Sequence, residues 1–139
     1  MTPEQKLLVQ TSFAQVLPIA GTAATLFYDR LFELDPEVRA MFKGDMEEQK
    51  KKLMDMLRVA VANLNRLDTL VPAVEQLGAR HERYGVQAGH YATVGAALIW
   101  TLEQGLGPAF TPEVREAWVA VYTVLATVMQ SPTRVLAAA

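Results

Sequence analysis

The chain contains no cysteine. That excludes disulfides, thiolate metal sites, thiolate haem ligation and cysteine nucleophiles. It also lacks an excess of either charge: 13 Lys and Arg face 15 Asp and Glu, for a net charge of −2. A nucleic-acid-binding surface needs a strong positive excess, so nucleic acid is not an expected partner. No run approaches the ~20 apolar residues of a membrane span. Residues 119–129 come nearest and predict a buried helix. The start, Met1-Thr2-Pro3-Glu4-Gln5-Lys6, has no basic segment leading into an apolar one. A signal peptide is therefore not expected, no membrane partner is expected, and the expected compartment is the cytoplasm. Alternating apolar segments, internal repeats, linkers and low-complexity stretches are missing too, which leaves helices as the one well-signalled element.

What is present suits one domain over residues 1–139 with a core near 4–130: the chain has 139 residues, 51% of them hydrophobic. Helix starts are plain. Thr2-Pro3-Glu4-Gln5 offers a cap threonine, a proline in the first turn and a capping-box glutamine. Asp35-Pro36-Glu37 and Thr111-Pro112-Glu113 repeat the cap-proline-acid order, and Asp45 with Glu48 suggests another cap. Apolar residues then recur in steps of three and four, as at Val9, Phe13, Val16 and Leu17; at Phe27, Leu31 and Leu34; and at Leu53, Leu57, Ala60 and Leu64. The spacing predicts helices near 3–17, 19–34, 36–42, 46–65, 69–84, 89–104 and 112–130. Seven helices with short joins and one very short member predict an all-α domain of crossing helices rather than a four-helix bundle.

Histidine occurs twice, and His81 is the more informative. Leu77 and Tyr84 share its helix face, while Arg80, Glu82 and Arg83 point elsewhere. A neutral imidazole on an apolar stripe fits two roles: an ordinary core side chain, or the axial ligand of a buried iron. Tyr28 lies among Ala24, Leu31 and Phe32 on one face, and a phenol there needs a hydrogen-bond partner. Gln49 points the same way as Leu53. Met41, Met46, Met54 and Met56 read as gap-fillers, His90 as a surface neighbour, and Lys50-Lys51-Lys52 as a solvated face.

In chain order, Tyr28 within Leu26-Phe27-Tyr28-Asp29-Arg30-Leu31-Phe32, then Asp35-Pro36-Glu37, Phe42, Gln49, Leu53, His81, Tyr91 ten residues on, and Ala117-Trp118-Val119-Ala120-Val121-Tyr122 resemble the globin family. The likeness is to the haem domain of bacterial flavohaemoglobins and their single-domain relatives. It implies a three-over-three helical sandwich around haem b, iron protoporphyrin IX. It further implies His81 as the iron ligand, with its Nδ1–H donating to the Leu77 carbonyl. Phe42, Leu53 and Val94 would line the haem pocket, Tyr91 would stand on the proximal side, and Lys52 or Arg80 would reach a propionate. Tyr28 and Gln49 would face dioxygen, nitric oxide or carbon monoxide on the distal side. A donor in a dry pocket stabilises the partly negative outer oxygen of dioxygen by ~1.5–3 kcal/mol.

Two departures from the flavohaemoglobin pattern bear on function. Its reductase module has no counterpart in these 139 residues, so electrons are expected from an external reductase. A glutamate near the end of the last helix also has no counterpart: about Val135 stands there, which predicts a weaker electronic push on iron and argues against a strong peroxidase. The first expected function is reversible dioxygen binding for storage, delivery or scavenging; the alternative is a nitric oxide dioxygenase. A gas sensor and a helical interaction protein without haem rank below both.

Overall fold

The computed structural model describes residues 2–83 and 88–130. Among them are α1 (Pro3–Val16), α2 (Ala20–Leu34), α3 (Met46–Ala62), α4 (Leu67–Arg83), α5 (Ala88–Leu106) and α6 (Pro112–Met129), and no strand. Short 3₁₀ turns cover Leu17–Ile19, Pro36–Met41, Leu64–Arg66 and Gly107–Ala109. The all-helical expectation therefore holds, and the very short third helix is a 3₁₀ turn.

Local chemistry sets most helix starts. The Thr2 hydroxyl accepts from the Gln5 backbone N–H at 3.1 Å while the Thr2 N–H donates to Gln5 Oε1 at 3.0 Å, a reciprocal capping box. The Asp45 carboxylate accepts from the Glu47 N–H at 2.9 Å, and the Thr111 hydroxyl accepts from Val114 N–H at 3.2 Å. Asp35 does not cap with its side chain. Its backbone carbonyl takes the Val38 N–H at 3.1 Å, the donor a cap would have used, and its carboxylate lies 3.8 Å from His90 Nε2 on α5. At the far end of α5, Gly107 adopts φ +55, a left-handed stop that favours glycine. Pro72 stands inside α4, where it removes a backbone donor and weakens that helix.

The core is built from α1, α2, α3, α5 and α6. α2 packs chiefly on α5 and α3, α1 on α6, and α4 on α6. Trp118 is 1% exposed; its indole N–H donates to the Ser12 hydroxyl at 2.9 Å, and that hydroxyl donates on to the Leu8 carbonyl at 2.7 Å. A buried indole thus keeps its polar atom satisfied, and α1 is tied to α6.

Several expected core positions lie outside. Leu17, Leu34 and Met56 are exposed: Leu17 sits in the turn after α1, Leu34 at the last residue of α2, and Met56 on the outer face of α3. Residues 119–129 are not a buried helix either, since Val121 is buried but Val119 is exposed. The stretch apolar enough over membrane length lies within Pro3–Leu34, where an 18-residue window reaches a mean hydropathy of 1.3, not in 119–129. By length and composition it passes for a span, yet Val9, Phe13, Val16, Phe27 and Leu31 from it are core side chains.

Candidate functional site

The expected site residues lie on α2, α3, α4 and α5, with Phe42 in the turn after Pro36–Met41. The first group is built on α2. Its buried face carries Ala24, Phe27, Tyr28 and Leu31, spaced so that Tyr28 enters the interior with apolar neighbours one turn away on either side. The Tyr28 ring meets Phe27 edge-on at 4.9 Å and Phe42 edge-on at 5.5 Å, and Phe42 meets Phe32 at 5.6 Å. Edge-to-face contacts of this kind contribute ~0.5–1.5 kcal/mol each, and they hold the phenol in one orientation. The Arg39 guanidinium covers the Phe32 ring at 5.4 Å from its centre.

α3 completes this group. The Asp45 cap starts the helix and the Gln49 backbone N–H donates to the Asp45 carbonyl at 3.1 Å. That turn brings the half-buried Gln49 side chain to Tyr28. Burial pushes the Tyr28 hydroxyl above its ordinary value, and the hydrogen bond with Gln49 pulls partly back. At neutral pH the phenol therefore keeps its proton and remains a donor. Leu53, one turn further on, is partly buried against the core, as is Val94 on α5.

The second group is on α4. His81 is half-buried, and its Nδ1 lies 2.8 Å from the Leu77 carbonyl. A carbonyl only accepts, so this contact puts the ring proton on Nδ1 and leaves the Nε2 lone pair free of it. Desolvation lowers the histidine's basicity, the Leu77 carbonyl raises it, and the Arg80 charge lowers it. Neutral imidazole is favoured, as metal ligation requires.

Tyr91 opens α5, and the structure gives it a partner that sequence spacing did not signal. The Tyr122 hydroxyl donates to the Tyr91 backbone carbonyl at 2.6 Å across 31 residues of chain. Burial and the nearby Tyr91 phenol hold the Tyr122 hydroxyl protonated far above neutral pH. Gly95 is what lets the two helices meet: a Cβ there would stand 2.8 Å from the Tyr122 ring.

Lys52 and Arg80 are exposed, and so is Lys51 beside Lys52. Lys50 pairs with Glu47 at 3.1 Å. Glu82 and Arg83 side chains, Tyr84 and Val135 lie outside the described residues. Among the described residues no three His, Asp or Glu side chains form a bare-ion site. One neutral imidazole, with Tyr28 and Gln49 both uncharged, suits a metal that brings ligands of its own, as a porphyrin does.

Several known proteins resemble the chain as a whole. The profile of the Globin family matches residues 25–129. The flavohemoprotein of Bacillus subtilis is 36% identical over 103 residues, covering 72% of this chain and 26% of its own length. That of Bordetella parapertussis is 34% identical over 143 residues, covering 100% and 35%. The chain thus spans about a quarter to a third of these flavohemoproteins. Neuroglobin of Danio rerio is 33% identical over 143 residues, with 93% of this chain and 90% of the relative covered. A solved structure of an engineered carbene transferase, a putative nitric oxide dioxygenase from Rhodothermus marinus, superposes with a TM-score of 0.86 at 27% identity, covering 99% of this chain and 97% of that one.

Proposed function

The chain belongs to the globin family, and from that premise we propose that it binds haem b and acts in the cytoplasm as a nitric oxide dioxygenase fed by a separate reductase. An iron porphyrin held here supplies the metal at which dioxygen, nitric oxide and one electron combine to nitrate. Reversible dioxygen binding, the first expectation from sequence, is the opening half of this activity. The flavohemoprotein relatives and the putative nitric oxide dioxygenase structure favour the full reaction.

The observation that supports the proposal is Tyr28, 4% exposed on α2, set edge-on against Phe27 and Phe42 with Gln49 near its hydroxyl. Tyr28 would donate a hydrogen bond to dioxygen bound in the pocket, and a preorganised donor in a dry site stabilises developing negative charge more than water does. Gln49 holds the phenol in place and is a second donor. Phe42, Leu53 and Val94 exclude water and accept the apolar gas. His81 is the metal ligand, kept in its Nδ1–H tautomer by Leu77. The Tyr91 segment is steadied by Tyr122, and Lys52 and Arg80 neutralise propionates at the rim.

The test is aerobic nitric oxide consumption by the haem-loaded protein with a flavin reductase and reduced nicotinamide, followed at an electrode with nitrate measured alongside. Many turnovers per haem, one nitrate formed for each nitric oxide consumed, are expected. Consumption that stops after one equivalent leaves dioxygen binding as the activity and overturns the enzymatic proposal.

A further inference from the structure

The segment that delivers Phe42 has little of its own to hold it. Pro36–Met41 is a six-residue 3₁₀ turn, a conformation whose strained hydrogen bonds rarely sustain so long a run. Of its side chains only Val38 is buried. Phe42 then leaves the turn in an extended conformation, and Lys43-Gly44 follows before the Asp45 cap starts α3. One residue supplies what the turn lacks. The Phe42 N–H donates to the Arg39 carbonyl at 3.2 Å, and Arg39 Nη1 donates back to the Phe42 carbonyl at 3.0 Å. Both backbone polar groups of Phe42 thus go to Arg39. The same guanidinium lies 5.4 Å from the centre of the Phe32 ring on α2. Arg39 is exposed and belongs to no ion pair among the described residues, so its charge is turned to a carbonyl and a ring.

We infer that Arg39 is a positioning residue for the distal side: it pins the Phe42 turn to α2 and, through Phe42, fixes the direction of the Tyr28 hydroxyl. The chain of contacts is short. Phe32 and Phe42 stand 5.6 Å apart, Phe42 and Tyr28 5.5 Å, and Tyr28 and Phe32 6.0 Å, a closed triangle of rings with the guanidinium against one corner. Tyr28 and Phe32 meet one turn apart on the same helix, so α2 itself sets that side. Phe42 comes from outside the helix, and its place against the phenol depends on the turn. The chemistry asks for arginine rather than for any cation. A planar guanidinium donates from its edge while its face meets a ring; a lysine ammonium, a point charge without a plane, does not combine the two. The inference rests on Tyr28 being the donor to dioxygen.

Four variants test it: Arg39→Met, Arg39→Lys, Tyr28→Phe, and Arg39→Met combined with Tyr28→Phe. In the haem-loaded protein, stopped flow gives the rate of dioxygen release, and infrared gives the C–O stretch with carbon monoxide, which reports the distal donor. In the haem-free protein, near-ultraviolet circular dichroism gives the tyrosine band. Arg39→Met is expected to release dioxygen about threefold faster or more. Its C–O stretch should move toward that of Tyr28→Phe, and its tyrosine band should weaken while the far-ultraviolet spectrum stays. Arg39→Lys is expected to follow Arg39→Met, because charge alone does not make the clamp. Added to Tyr28→Phe, Arg39→Met is expected to change nothing further, since its effect runs through the phenol. A wild-type release rate in Arg39→Met beside a fast Tyr28→Phe overturns the inference and leaves the donor reading standing. A wild-type Arg39→Lys, or full additivity in the double variant, overturns it too. An unchanged release rate in Tyr28→Phe overturns the donor reading instead, and the tyrosine band then decides the clamp: a weaker band in Arg39→Met upholds it, and an unaltered one overturns it.

Discussion

α2 and α4 are amphipathic helices of 15 and 17 residues that carry the two halves of the site, and they are anchored in opposite ways. α2 buries Ala23, Ala24, Phe27, Tyr28 and Leu31 in the core. On α4, no described side chain joins the core cluster; Leu70, Val71, Val74, Leu77 and His81 are half-buried, and Pro72 interrupts the backbone ladder. The distal donor therefore rides on a helix held by protein packing. His81, the proposed iron ligand, rides on a helix that packs on α6 with only half-buried apolar side chains, so its order is expected to depend more on a bound cofactor. Polarity differs as well: Tyr28 meets aromatic rings and Gln49 from other segments, while the His81 Nδ1–H donates to a backbone carbonyl of its own helix.

The largest effect that tests this contrast is at His81. His81→Ala is expected to lose haem on gel filtration and to abolish the five-coordinate ferrous spectrum while α2 keeps its helical signal. Full cofactor retention removes His81 from the role. Next comes a matched pair of truncations in the haem-free protein, read by urea unfolding. Leu31→Ala on α2 is expected to cost ~2–5 kcal/mol, as a buried leucine does, and Val74→Ala on α4 less than ~1 kcal/mol, as a partly solvated one does. Equal costs erase the distinction between the helices.

Smaller effects are expected at the distal pair. Tyr28→Phe deletes a donor worth ~1.5–3 kcal/mol, so dioxygen should leave about tenfold faster or more in stopped flow. Gln49→Leu acts partly through Tyr28 and should speed release by less; an unchanged rate in Tyr28→Phe takes the phenol out of the mechanism. The mildest effect is that of acid. Burial makes His81 less basic in the fold than the ordinary histidine value of 6.5, so below that pH the unfolded state binds more protons than the native one. The stability this histidine contributes is complete above pH 6.5 and is lost as pH falls toward its lower folded value. Protonation also competes for Nε2. Haem transfer to an acceptor globin should therefore quicken as pH drops below 6.5, and a flat profile contradicts the assignment.

Much of this was legible before any coordinates. Thr2, Asp45 and Thr111 cap as their spacing predicted, and His81 finds the Leu77 carbonyl because i and i−4 are neighbours on any helix. Asp35 was misread as a side-chain cap because sequence does not reveal that its own carbonyl receives Val38 and that His90 approaches its carboxylate. Val119 and Met56 were misread as interior because periodicity marks a stripe without showing how wide a neighbour covers it.

Local order alone determined the helices, their starts and the face on which His81 stands, since each depends on hydrogen bonds and spacings of three or four residues. Only the tertiary structure decided that Gln49 meets Tyr28, that Phe42 closes on both Tyr28 and Phe32, that Tyr122 holds the Tyr91 carbonyl, and that an uncharged face of α5 and α6 stays open. A helix's own sequence sets its phase; which helix lies opposite, and how much of that phase it covers, comes from packing across long stretches of chain.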